Sequence, residues 1–136
     1  MIGVDNCKRP DLSASEEKKK NTGLKRLWLA TLNSRRSLLW LARNEAAFRE
    51  ELLLLGVMGC ASFFLDVTVL ERCALIVSLL VILLVETLNT AIETTIDRID
   101  LEIHPLSGLA KDLGSAAVFI SLVIAAVVWA SILFFQ

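Results

Sequence analysis

Glu86, Asn89, Glu93, Asp97 and Asp100 stand 3, 4, 4 and 3 residues apart. At 3.6 residues per turn a helix gathers them into a sector of about 80°, one face with four carboxylates and an amide. Leu88 and Ile92 lie away from that face, and Ile96 lies at its edge. Such a face repels itself unless cations neutralise it. Three readings are open: a solvated helix face, structural ion pairs with Arg26, Arg35 or Arg43, or a site that uses the charge. Position favours the last. Glu86 directly follows ALIVSLLVILLV (residues 74–85), and a carboxylate at the edge of a lipid-immersed run is costly and a functional candidate by default. Its chemistry would be that of a general base.

Glu93 falls two turns further on, about 10 Å along the axis, within reach of a hydrated metal. Magnesium prefers one or two carboxylates plus substrate phosphates to a full protein cage, and Glu45 could supply the second carboxylate. Lys111-Asp112 follows, bracketed by Gly108 and Gly114, and adds a cation for a phosphate and a further acid. There is no G-x-x-x-x-G-K-[ST] and no G-x-G-x-x-G, so neither a P-loop nor a protein-kinase loop is encoded. Carboxylates, one lysine and a base facing lipid suit chemistry between a nucleotide and a lipid.

The elements that must hold these residues are membrane helices. The 136 residues are 55% apolar with mean hydropathy +0.63, and positions 113–136 carry no charge. That excludes an ordinary soluble globule. Residues 114–135 make about 33 Å of helix, enough for a bilayer core of about 30 Å. Residues 52–65 and 74–85 are apolar runs of 14 and 12. Extended at their N-terminal ends they become spans over about 46–65 and 68–86, a helical hairpin turning near Asp66-Val67-Thr68. Eleven of the 14 basic residues stand at or before Arg49. The positive-inside rule therefore places the N-terminus in the cytosol and the C-terminus outside. Residues 24–43 alternate leucines, Trp28 and Trp40 with basic residues, the pattern of a helix lying in the interface, with Asn33-Ser34 as a possible interruption. Trp129 is expected to be an interfacial anchor.

Residues 1–22 are polar and lack the apolar stretch of a secretory signal, so they read as a disordered cytosolic tail ahead of one domain, 23–136. Net charge −1 argues neither for nor against a nucleic-acid partner. Cys7, Cys60 and Cys73 have no metal-site spacing and read as one exposed thiol and two small helix residues.

Four segments together resemble the bacterial membrane-integral diacylglycerol kinase family. They are N-E-A-A-F-R-x-E (44–51), V-E-x-L-N-T-A-I-E (85–93), D-R-I (97–99) and L-S-G-x-A-K-D-x-G-S-A-A-V (106–118). The resemblance covers roughly residues 22–136 and is closer to the Gram-negative diacylglycerol kinases than to the undecaprenol kinases. It implies an all-α integral membrane protein of the bacterial inner membrane. Each protomer would have three transmembrane helices plus an N-terminal amphipathic surface helix, in a homotrimeric bundle. The implied activity is Mg2+-dependent transfer of the ATP γ-phosphate to the primary hydroxyl of diacylglycerol, giving phosphatidic acid for phospholipid recycling, with no nucleic-acid partner.

The resemblance also implies roles. Glu86 is similar to the general base, and Glu45 and Glu93 to the magnesium-bridged nucleotide ligands. Arg26, Asn33, Glu102, Ile103, His104, Lys111 and Asp112 match nucleotide-site positions. Arg26, Ala47, Phe48, Arg49, Glu51, Glu86, Asn89 and Ser115 match lipid-site positions, Asn89 also supporting the nucleotide side. His104, beside Pro105, reads as a loop hydrogen-bonding residue. The chain departs from the family pattern at Asn33-Ser34-Arg35, where Tyr-Ser-Trp is usual, at Leu39, where an arginine is common, and at Pro105 and Leu109, which replace polar residues.

Two competitors remain. An undecaprenol kinase presents the same single hydroxyl at the same depth. An oligomeric transporter or structural protein would carry polar residues through the span, yet residues 74–85 contain only Ser78.

Overall fold

The structure, a computed structural model, describes residues 23–99 and 104–134. Four α-helices account for almost all of them: α1 (Leu24–Asn44), α2 (Ala46–Ala61), α3 (Val69–Ile99) and α4 (Pro105–Phe134), with a 3-10 turn over Ser62–Phe64. No strand occurs among the described residues. The tail 1–22, Asp100, Glu102, Ile103 and the end of the chain lie outside them.

The chain divides into two compact units, residues 1–39 and 40–136. The described part of the first is the beginning of α1. Gly23, with φ 71°, starts it in the left-handed region that glycine alone enters freely, and its carbonyl accepts the amides of Arg26 and Leu27. The expected interruption at Asn33-Ser34 is absent. Thr31, Ser34 and Ser37 each donate a hydroxyl to the carbonyl four residues back, at 3.0 Å. In that state these residues continue a helix instead of breaking it. Leu24, Leu27 and Trp28 are all exposed, as an interfacial stripe requires.

The second unit is built on α3. Its turns bury Leu75, Leu79 and Ile82 at helical spacing, against Ala125 and Trp129 of α4. Leu55, Met58 and Leu65 close the cluster from the α2 side. Trp129 is a correction to the sequence reading: it is 8% exposed and packs in this core, with no partner for its indole N–H. Cys60 on α2 and Cys73 on α3 are small helix residues as expected, both exposed in this chain. In an almost uniformly apolar helix, residue type carries no signal for which side faces lipid and which faces a neighbour.

Helix α2 ends early, and the hairpin is closed by polar contacts. Arg72 donates from Nε to the Ser62 carbonyl at 3.0 Å and from Nη2 to the Leu65 carbonyl at 3.1 Å. Thr68 and Glu71 form a capping box: the Thr68 amide reaches Glu71 Oε2 at 2.7 Å and the Glu71 amide reaches Thr68 Oγ1 at 3.3 Å. Helix α3 therefore starts at Val69, not within the turn at Val67. Helices α3 and α4 are both long and apolar enough to cross a membrane, at about 46 and 45 Å. Helix α2 makes about 24 Å, and about 30 Å with its 3-10 turn.

Candidate active site

The buried stripe of α3 changes chemistry after Ile82. The next inward positions are Glu86, Asn89 and Thr90, all buried. Glu86 is 5% exposed, so a carboxylate occupies a place that the helical period assigns to core. Thr90 donates its hydroxyl to the Glu86 carbonyl at 3.1 Å. Asn89 donates from Nδ2 to Glu93 Oε1 at 3.2 Å, one turn further out. On α4 the matching inward positions are Gly114 and Ser121.

Helix α2 brings the second group of acids. Glu45 is the single extended residue between α1 and α2, at φ −103° and ψ 122°, and makes no side-chain cap bond. Its half-buried carboxylate is thus free of the usual helix-start duty. Glu45 and Glu93 both lie within electrostatic reach of Glu86, as does Glu51. Glu51 Oε2 and Asn89 Oδ1 are buried oxygens with no hydrogen-bond partner. Leaving such atoms unpaired costs about 1–3 kcal/mol each, which marks this end of the bundle as built for something besides folding.

The cation is held to one side. Lys111 Nζ meets Asp97 Oδ1 at 2.5 Å, the sole salt bridge among the described residues. The hydrogen bond to Asp97, helped by the charges of Asp97 and Glu93, holds the Lys111 ammonium above its ordinary value. Both side chains remain accessible to solvent, so a phosphate can compete for the lysine.

The other sequence-assigned residues divide plainly. Phe48 is 3% exposed and packs as core, whereas Ala47, Arg49, Asp112 and Ser115 are exposed. Arg49 donates to the Arg43 carbonyl at 3.3 Å. His104 behaves as the loop residue expected: its Nδ1 accepts the Leu106 amide at 3.2 Å and its carbonyl accepts the amides of Ser107 and Gly108. Arg26 is exposed and Asn33 half-buried on the first unit, which is described by itself. Glu102 and Ile103 fall outside the described residues. Sequence reasoning missed the Asp97 partner of Lys111 and the role of Gly114. A lone glycine in a helix interior, which costs about 1 kcal/mol against alanine, is the available signal for a close approach.

The donor set fits a hard divalent cation. Glu45 and Glu93 offer carboxylate oxygens, the ligand type magnesium takes. Among the described residues no three acidic, histidine or cysteine side chains converge to hold a metal alone. The arrangement therefore suits a cation completed by phosphate oxygens.

Residues 33–133 match the family model described as prokaryotic diacylglycerol kinase. The chain is 50% identical over 115 residues to a diacylglycerol kinase of Pseudomonas aeruginosa, covering 85% of this chain and 94% of the relative. A diacylglycerol kinase of Haemophilus influenzae is 47% identical over 116 residues, 85% and 98% of the two chains. One of Escherichia coli K12 is 48% identical over 93 residues, 66% and 74%.

Proposed function

The chain belongs to the prokaryotic diacylglycerol kinase family, ATP-dependent lipid kinases, and from that premise we propose a Mg2+-dependent transfer of the ATP γ-phosphoryl group to the primary hydroxyl of diacylglycerol. The products are phosphatidic acid and ADP, and the cellular role is recycling of diacylglycerol into phospholipid synthesis. The observation that carries the reading is the burial of Glu86 where the apolar part of α3 gives way to the acidic part. A lipid hydroxyl and a nucleotide phosphate can meet only at such a border.

In this mechanism the Glu86 carboxylate takes the proton of the acceptor hydroxyl as its oxygen bonds to the γ-phosphorus and the bond to the β-phosphate oxygen breaks. Glu45 and Glu93 would hold the magnesium, which neutralises phosphate charge when bound. Asn89 orients Glu93 through its amide. Lys111 exchanges Asp97 for a phosphate oxygen, and Asp112, the next residue of α4, is a further acid near the nucleotide side. Arg26, Asn33, Glu102, Ile103 and His104 are the further nucleotide-side residues that the family resemblance implies. Ala47, Phe48, Arg49, Glu51 and Ser115 border the acceptor.

The protomer crosses the inner membrane three times, α2 and its 3-10 turn forming the first span, with the N-terminus cytosolic. α1 lies on the surface and three copies form the bundle. One protomer supports this poorly by itself, because Ala116, Ala117 and Ala126 of α4 stay exposed and small residues are the usual basis of close packing in lipid.

The test is acceptor choice with purified protein in mixed micelles. Diacylglycerol should be phosphorylated with ATP and magnesium, and undecaprenol should not compete. Preference for the polyprenol would overturn the substrate assignment.

A further inference from the structure

Gly114 is buried on α4, and it alone among the described glycines faces a neighbour: a methyl built there would overlap Asn89 Oδ1 and stand 3.2 Å from Asn89 Cγ. The Asn89 Cα lies at 3.9 Å, an ordinary contact. The space is therefore tight for the amide end of the asparagine and adequate for the two helices. At Gly56, Gly59 and Gly108 a methyl would find nothing within 4 Å. Asn89 is 8% exposed, its Oδ1 has no partner, and its Nδ2 holds Glu93.

We propose that Gly114 is a positioning residue: by lacking a side chain it leaves the room in which the Asn89 amide stays turned toward Glu93. A methyl group at 114 pushes on the flexible end of Asn89, not on backbone, so the amide swings and the hydrogen bond to Glu93 is lost while the helices hold. Gly114 touches no reactant and acts through Asn89. The proposal rests on the reading of Glu93 as a nucleotide-side ligand, and the experiment separates the two.

The experiment compares wild type, Gly114→Ala, Asn89→Ala and the double variant as purified full-length protein. Three readouts are taken: kinase rate, melting temperature in detergent, and the Asn89 side-chain amide signals in the absence of nucleotide and metal. Gly114→Ala should move those signals and lower kcat by about tenfold or more, the equivalent of one hydrogen bond to a charged group. Its melting cost should vanish in the Asn89→Ala background, where the colliding amide is gone. An equal melting cost in both backgrounds, or a wild-type rate with unmoved signals, overturns the proposal. If Gly114→Ala does not accumulate as folded protein, the double variant must restore it, and failure to do so also overturns it. If the melting cycle closes but Asn89→Ala keeps the wild-type rate, the contact stands and the site reading beneath the proposal falls.

Discussion

Lys111 and Asp97 face each other across the α3–α4 hairpin, the lysine Nζ 2.5 Å from the carboxylate Oδ1. The pair joins the acidic stripe of α3 to the lysine proposed above to meet the nucleotide's phosphates. A solvent-accessible ion pair of this kind contributes little to stability, so its effect should appear in binding. Asp97→Asn frees the lysine, and the KM for ATP should fall. Lys111→Ala should raise it. Steady-state kinetics at fixed magnesium checks both, and an unchanged KM in both variants would remove Lys111 from the nucleotide side.

The same pair has a pH signature. Asp97 raises the Lys111 pKa above its ordinary value of 10.5 in the folded chain. A raised lysine pKa gives stability that is fully present below the unfolded value and lost as pH rises through the folded one. The melting difference between wild type and Asp97→Asn should therefore be small and constant through neutral pH, then close above about pH 10.5. Thermal melts across that range read it directly. A difference that grows with alkalinity contradicts the assignment.

Glu86→Gln should abolish turnover while folding and nucleotide affinity persist. The amide fills the same space and cannot accept the acceptor's proton, and removing a general base costs about 10²–10⁴-fold. A near-normal rate would take Glu86 out of the mechanism.

Glu45→Gln and Glu93→Gln should each raise the magnesium concentration needed for half-maximal rate. A site with two protein carboxylates has little redundancy, and each change removes one formal charge. Magnesium titrations of the double variant decide the matter, because wild-type dependence there is incompatible with the metal assignment.

Trp129→Ala should lower stability by about 3–5 kcal/mol, the usual cost of emptying a large buried aromatic site. Trp129→Phe should be far milder, since it also removes an indole N–H that has no partner. Equal tolerance of both would restore the interfacial-anchor reading.

Much of the site was legible because charge is conspicuous in an apolar chain. Glu86 could be placed at the lipid border from the run 74–85 alone, and the period of 3 and 4 put Asn89, Glu93 and Asp97 on its face. His104 as a loop partner followed from its proline neighbour. Trp129 was misjudged because hydropathy separates lipid from water but not lipid from a neighbouring helix. The Gly114–Asn89 fit was also out of reach. It is a contact between residues 25 positions apart, fixed by how α3 and α4 cross rather than by the pattern within either. Ser34 misled in the opposite sense, a helix-breaking type that satisfies itself on its own helix.

Helix α3 runs unbroken from Val69 to Ile99, so its core positions and its acidic positions are one rigid rod. At about 46 Å it exceeds the roughly 30 Å of a bilayer interior. The height of Glu86 against the lipid headgroups is then not adjustable by a hinge. It is set by how the rod matches the thickness of the membrane around it. With Glu86 as the proposed base, thick bilayers of long acyl chains should draw its carboxylate beneath the acceptor hydroxyl, and thin ones should lift it clear or tilt the rod. On that role for Glu86, the lipid that surrounds the protein should act as a control on its rate, separate from the lipid that it phosphorylates.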